Sequence, residues 1–146
     1  MIGPFGNALL CDFGLSRIRH EVTRSQTNIR EGGRKRFLAP ELSAGAEKFR
    51  TSAASDIFSL SMTLLNVWTR DFPFAEIYKE QKAEAAIRKG RRPGRPAVQI
   101  NLPSNVEQEF WLLLVDMWTH DASSRPPSED VQKRLETIFG PLLLAE

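Results

Sequence analysis

Apolar positions change their spacing several times along the chain, and each change marks an element. Asn7-Ala8-Leu9-Leu10-Cys11 is a short apolar run behind a Gly6-Asn7 turn signal and predicts a β-strand. Residues 15–37 carry many Arg, Ser, Thr and Gly with little periodicity, which predicts a long loop. Thr51 to Trp68 reads as a helix with apolar residues on nearly every face, interrupted by small hydroxyls, Asp56 and Asn66. A helix of that kind is a buried central helix that needs neighbours on all sides. Phe74 to Lys89 predicts a second, polar helix, with Glu84 and Arg88 at i,i+4 and Gly90 as its stop. Gly90, Pro93, Gly94, Pro96 and Pro103 make residues 90–103 a loop.

Ser104-Asn105-Val106-Glu107 has the form of a capping box, followed by Val106, Phe110, Leu113, Leu114, Met117 and Trp118 at helical spacing. A last helix is expected from about Ser128, with Glu129 and Asp130 in its positive first turn. Val131, Leu135 and Ile138 form its stripe, and Gly140-Pro141 is its expected end. The predicted fold is mainly α, with one short strand. A lone strand leaves backbone groups unpaired, so a partner strand is required, and Met1-Ile2 offers its stub.

Composition narrows the class. With 41% hydrophobic and 26% charged residues in 146, the chain reads as one globular domain. No apolar run approaches the roughly 20 residues of a membrane helix. Met1–Leu10 lacks the basic start of a secretory signal. The single cysteine excludes an internal disulfide and a cysteine-rich zinc site. A cytoplasmic or nuclear location is expected.

The net charge of +2 is too small to argue for nucleic acid. Its distribution is uneven: Arg17, Arg19, Arg24, Arg30, Arg34, Lys35 and Arg36 face only Glu21 and Glu31, and Arg88, Lys89, Arg91, Arg92 and Arg95 form a second cluster. Either cluster could be a solvated loop, and the first could attract an acidic peptide. No aromatic interleaving accompanies the charge, which argues against nucleic acid. His20 and His120 stand far apart without ligand spacing and read as surface residues.

Four motifs carry chemistry. Cys11-Asp12-Phe13-Gly14 follows the predicted strand and opens the long loop. Gly33-Arg34-Lys35-Arg36-Phe37-Leu38-Ala39-Pro40-Glu41 closes it. Ser55-Asp56-Ile57-Phe58-Ser59-Leu60 lies in the apolar helix, and Asp121-Ala122-Ser123-Ser124-Arg125-Pro126 precedes the last one. Their order and context resemble the C-terminal lobe of a eukaryotic protein kinase, from the Asp-Phe-Gly motif to the final helix. The tyrosine-kinase-like branch, whose members mostly phosphorylate serine and threonine, is the most similar. The resemblance implies a partial kinase domain over residues 1–140 with a tail at 141–146.

The resemblance also assigns roles. Asp12 would ligate magnesium, a hard cation that takes carboxylate and phosphate oxygens, and Cys11, Asp12, Phe13 and Gly14 would border the nucleotide. On its own Asp12 could equally be a turn aspartate. Gly33, Arg34, Arg36 and Phe37 match the substrate loop. Glu41 and Arg125 would form a buried ion pair at the loop's end; otherwise they are exposed charges on separate elements. Asp56 would anchor the catalytic loop, or simply favour the positive end of its helix. Thr23, Ser25 and Thr27 are phosphorylation candidates among arginines, or ordinary polar loop residues. Cys11 by itself suits a small buried hydrophobe.

ATP and magnesium are the implied cofactors, and a protein substrate or regulatory protein the implied partner. Several parts that the reaction needs are not among the 146 residues: the Gly-rich phosphate loop, the strand lysine with its glutamate, and the His-Arg-Asp motif with its downstream Asn. Arg34 stands where the family carries a threonine, and Ser61 where it usually carries glycine. The chain alone is therefore expected to be inactive and poorly stable. The competing expectation is a non-catalytic remnant that acts as a protein-binding module.

Overall fold

The structure is a computed structural model that describes residues 3, 4, 9, 35–43, 51–97 and 102–143. The chain divides into two units, residues 1–31 and 32–146, and every element described below belongs to the second. Four helices are present: α1 (Ala53–Thr69), α2 (Glu80–Arg88), α3 (Ser104–Met117) and α4 (Ser128–Leu143). One-turn 3-10 helices occupy Pro40–Leu42 and Ala122–Ser124. Among the described residues there is no strand. The strand expected at residues 7–11 lies outside them except for Leu9, which belongs to no regular element.

Helix α1 begins at a reciprocal cap. Ser55 N–H donates to Ser52 Oγ at 3.1 Å, and Ser52 N–H donates to Ser55 Oγ at 2.9 Å. Two orphan donors of the first turn are thereby satisfied. The helix ends with Arg70 in the left-handed region at φ 56°. The side chain of Asn66 donates to the Asp71 carbonyl at 2.8 Å, and Thr69 Oγ1 brackets the same residue. Those bonds support a backbone turn that a non-glycine residue adopts at a cost of about 1–2 kcal/mol.

The core forms where α1 crosses α3 and α3 meets α4. Ile57, Phe58, Met62, Leu65 and Trp68 pack with Phe110, Leu113, Leu114, Met117, Trp118, Val131 and Ile138. Aromatic edges tie the layers: Trp68 to Phe110 at 5.3 Å, Phe110 to Phe139 at 5.1 Å and Trp111 to Trp118 at 5.4 Å. Ser61 is fully buried, and its hydroxyl donates to the Phe58 carbonyl at 2.6 Å, so the substitution for glycine leaves no polar atom unpartnered.

Four expectations need correction. First, α1 is not buried all round. Asp56, Leu60, Thr63 and Val67 recur at helical spacing along an exposed stripe, with Val67 66% exposed. Second, α2 starts at Glu80, six residues later than its pattern suggests. Phe74 has φ 58° within a turn at 73–76, and the carbonyls of Pro73, Phe74, Ile77 and Tyr78 are taken by Arg36. A helix would need those oxygens for its own N–H groups.

Third, Ser104 does not cap α3. Pro103 holds the cap position, its carbonyl accepting from Glu107 N–H at 2.9 Å, and the Glu107 carboxylate turns to Arg95. Fourth, α4 runs through Gly140-Pro141 to Leu143. Proline in the last turn removes one helical hydrogen bond where few remain to be made. The stop at Gly90 is as expected: at φ 86°, its N–H donates to Ile87 O at 3.0 Å and Arg91 N–H to Ala86 O at 2.9 Å. This is a Schellman end, in which glycine takes the left-handed position.

Candidate functional site

Glu41 sits on the turn Pro40–Leu42, and Arg125 directly follows the turn Ala122–Ser124. Asp121 shapes the second turn by accepting from Ser123 N–H at 3.0 Å, and that bond holds its exposed carboxyl below the usual range. The structure brings Glu41 and Arg125 together across 84 positions of sequence as a two-pronged pair. Nη1 donates to Oε1 at 2.7 Å and Nη2 to Oε2 at 2.8 Å. The remaining donors reach the carbonyls of Ala54 at 2.8 Å, Thr119 at 2.8 Å and His120 at 3.3 Å.

One guanidinium thus joins the turn at 40–42, the start of α1 and the approach to α4. Planar, forked pairing of this kind is the strongest form of a carboxylate–arginine contact. Burial alone would raise the Glu41 carboxyl; the Arg125 hydrogen bond and charge, with a backbone bond at Glu41, outweigh it and hold it below 4.5.

Phe58, fully buried, carries two guanidiniums over its ring, Arg92 and Arg125, each 5.1 Å from the centroid. Arg92 also donates to Trp118 O at 2.6 Å and Ile87 O at 3.2 Å. The second basic cluster is therefore largely committed. Arg91 pairs with Glu76 at 2.8 Å, and Arg95 reaches Gln108 at 2.6 Å and Glu107 at 3.1 Å. An open cleft of about 270 Å³ beside the Glu41–Arg125 pair is lined by Pro40, Glu41, Arg88, His120, Asp121 and Ala122.

The other candidate residues divide. Arg36 is buried at 7% exposure, and its guanidinium faces main-chain carbonyls: Pro73 at 3.0 Å, Tyr78 at 3.2 Å, and those of Phe74 and Ile77. Lys35 pairs with the buried Glu84 of α2 at 3.5 Å. These two cations, the described ones of the first basic cluster, are turned to the protein rather than to solvent. Phe37 is half-buried, with its ring edge-on to Phe72 at 6.5 Å. Asp56 stands exposed in the first turn of α1, and partial burial of its carboxyl pushes it above 3.8.

Cys11, Asp12, Phe13, Gly14, Thr23, Ser25, Thr27, Gly33 and Arg34 lie outside the described residues. Among the described residues, no group of three His, Cys, Asp or Glu side chains could hold a metal ion, and no helix is long and apolar enough to cross a membrane. Sequence reasoning missed Arg92, the Lys35–Glu84 pair and the carbonyl cradle of Arg36. The available signal was a cation placed directly before Phe37-Leu38, in a stretch otherwise turning apolar.

Comparison with known proteins bears on the same residues. The family described as "Protein kinase domain" matches residues 1–135. Serine/threonine-protein kinase STY46 of Arabidopsis thaliana is 28% identical over 88% of this chain and 20% of its own length. Serine/threonine-protein kinase TNNI3K of Rattus norvegicus is 28% identical over 90% of this chain and 14% of its own. A probable inactive serine/threonine-protein kinase of Dictyostelium discoideum is 29% identical over 92% of this chain and 6% of its own. The chain thus spans a fifth or less of the length of these relatives.

Proposed function

Because the chain belongs to the protein kinase family, we propose that the protein transfers the γ-phosphoryl group of ATP to serine or threonine of a protein substrate, and that these 146 residues form the C-terminal lobe of its catalytic domain. Domain residues 1–140 would be followed by a tail at 141–146, in a protein of the cytoplasm or nucleus. The observation that carries this reading is the forked Glu41–Arg125 pair, which fixes the end of the segment opened by Asp12-Phe13-Gly14. Such a pair holds a loop in one place more than it adds net stability.

Asp12 would hold the magnesium ion, and Cys11, Phe13 and Gly14 would border the nucleotide. Magnesium, when bound, neutralises charge on the transferring phosphate oxygens. Gly33, Arg34, Arg36 and Phe37 would form the substrate loop, with Arg36 and Lys35 fastening it rather than attracting substrate. Thr23, Ser25 and Thr27 would be phosphorylated to order the long loop, and Asp56 would anchor the catalytic loop. The 146 residues supply neither a Gly-rich loop nor a base for the substrate hydroxyl. By itself this chain is expected to transfer no phosphate.

The test compares the chain alone with the full-length protein, using Mg-ATP and a generic protein substrate. Activity confined to the full-length protein and lost in Asp12→Asn fits the proposal. Transfer by the chain alone, abolished by the same substitution, overturns its inactive part.

A second reading, a non-catalytic remnant that binds other proteins, is favoured by the exposed stripe of α1, where Leu60 and Val67 stay 39% and 66% exposed. These two side chains would form part of the face that a partner covers. A full-length protein that binds partners but transfers no phosphate would move the assignment there.

A further inference from the structure

Tyr78 is the chain's single tyrosine, and it is 93% exposed. Its ring contributes almost nothing to the core, and its hydroxyl bonds to nothing among the described residues. A tyrosine ring has a large area to gain by burial, so display at this level sets it apart from the other aromatics. Of the other aromatic residues described in the same unit, Phe72 is 60% exposed, while Phe58, Trp68, Phe74, Phe110 and Trp118 are buried.

The backbone beneath Tyr78 is held. Arg36, itself buried, donates to the Tyr78 carbonyl at 3.2 Å and to the preceding carbonyl of Ile77. The following residue, Lys79, is extended at φ −86° and ψ 123°, and α2 begins only at Glu80. Residues 77–79 therefore lie outside any helix and present the side chain from a fixed base. Glu76 and Glu80 flank the tyrosine two positions to either side. Glu76 remains on the surface in a pair with Arg91 whose members are both more than half exposed. Lys79 and Lys82 offset the two glutamates, so the segment around Tyr78 carries no net charge before modification.

We propose that Tyr78 is a phosphorylation site for a tyrosine-specific protein kinase distinct from this chain. In that step the Tyr78 Oη forms a bond to the γ-phosphorus of ATP as the bond from that phosphorus to the bridging oxygen of ADP breaks. The phenolic proton passes to the base of the transferring kinase, and nothing is oxidised or reduced. The product changes the local field. Glu76, Lys79, Glu80 and Lys82 sum to zero charge, and a phosphate adds about −1.5 to −2, turning a neutral ridge acidic.

The ridge begins at the carbonyls that Arg36 holds. The proposal does not depend on this chain having kinase activity, because the donor enzyme is supplied separately.

The experiment uses the full chain, its Tyr78→Phe variant and a free peptide of residues 72–84. Each is incubated with Mg-ATP and the catalytic domain of a tyrosine kinase of broad sequence tolerance. Intact mass should show one phosphoryl group on the chain, mapped by fragmentation to residue 78, and none on the variant. Since the ring is already displayed, the folded chain should react within about tenfold of the peptide rate, a difference of at most about 1.4 kcal/mol. A folded chain slower than that would show the held backbone to be closed to a kinase, and would overturn the proposal. Absence of transfer to the peptide would overturn it through the flanking sequence.

Discussion

Arg125 and Arg36 are both buried guanidiniums, and they are neutralised in different ways. Arg125 spends two donors on the Glu41 carboxylate and the rest on three carbonyls. Arg36 is held by four carbonyls alone, and among the described residues no carboxylate pairs with it. The first anchor depends on a titratable partner and joins segments remote in sequence. The second depends on main-chain dipoles of one short connection. A buried charge can thus be accommodated by an opposite charge or by oriented carbonyls, but only the former makes the anchor sensitive to acid.

The largest effect should follow from breaking the charged anchor. Arg125→Met leaves Glu41 without its partner and should cost roughly 3–5 kcal/mol in urea unfolding. The double variant Arg125→Met with Glu41→Gln should lose less than the two single losses added together. Arg36→Met should cost about 1–3 kcal/mol, because it leaves the buried carbonyls of Pro73 and Phe74 without a donor. Hydrogen exchange should then rise most at residues 73–80 and least in the middle of α1. A uniform rise would erase the distinction between a local and a joining anchor.

Acid separates the two anchors next. The Glu41 carboxyl is held below its ordinary 4.5, so its stabilisation is present above that value and is lost as pH falls through the folded-state value. The stability difference between wild type and Glu41→Gln should therefore shrink below pH 4.5, measured by denaturant midpoints across that range. Asp56 runs the opposite way: burial raises it above 3.8, so its contribution falls as pH rises through that region. The carbonyl anchor should show no such acid dependence. The smallest effect belongs to the exposed Arg91–Glu76 pair, where Arg91→Ala should cost less than about 0.5 kcal/mol. A larger loss would mean that the Schellman end of α2 relies on it.

Much of this was legible in the sequence, and the illegible part has a physical pattern. The four helices follow from apolar spacing, and Gly90 marks a helix end because only the left-handed position needed it. Glu41 and Arg125 could be paired on paper through the motifs around them. The Arg36 cradle could not, because its acceptors are backbone oxygens, which every residue carries. That cradle also explains why α2 begins late despite a helical pattern from Phe74.

The cap of α1 was missed because two serines three apart are a weaker signal than serine with glutamate. The stronger signal at Ser104 failed because Arg95, distant in sequence, claimed Glu107. The exposed stripe of α1 mixes Leu60 and Val67 with Asp56 and Thr63, and composition alone cannot tell which face of a helix finds a neighbour.

The separation of 84 residues between Glu41 and Arg125 also has a kinetic meaning. Closing that loop spans twice the separation of the Trp68–Phe110 contact between α1 and α3, an added entropic cost of about 0.6 kcal/mol. The pair should therefore assemble after the main barrier to folding has been crossed. Arg125→Met should leave the refolding rate nearly unchanged and place almost its whole effect on unfolding. In that sense the pair acts as a late latch, setting how long the folded lobe lasts more than how quickly it forms.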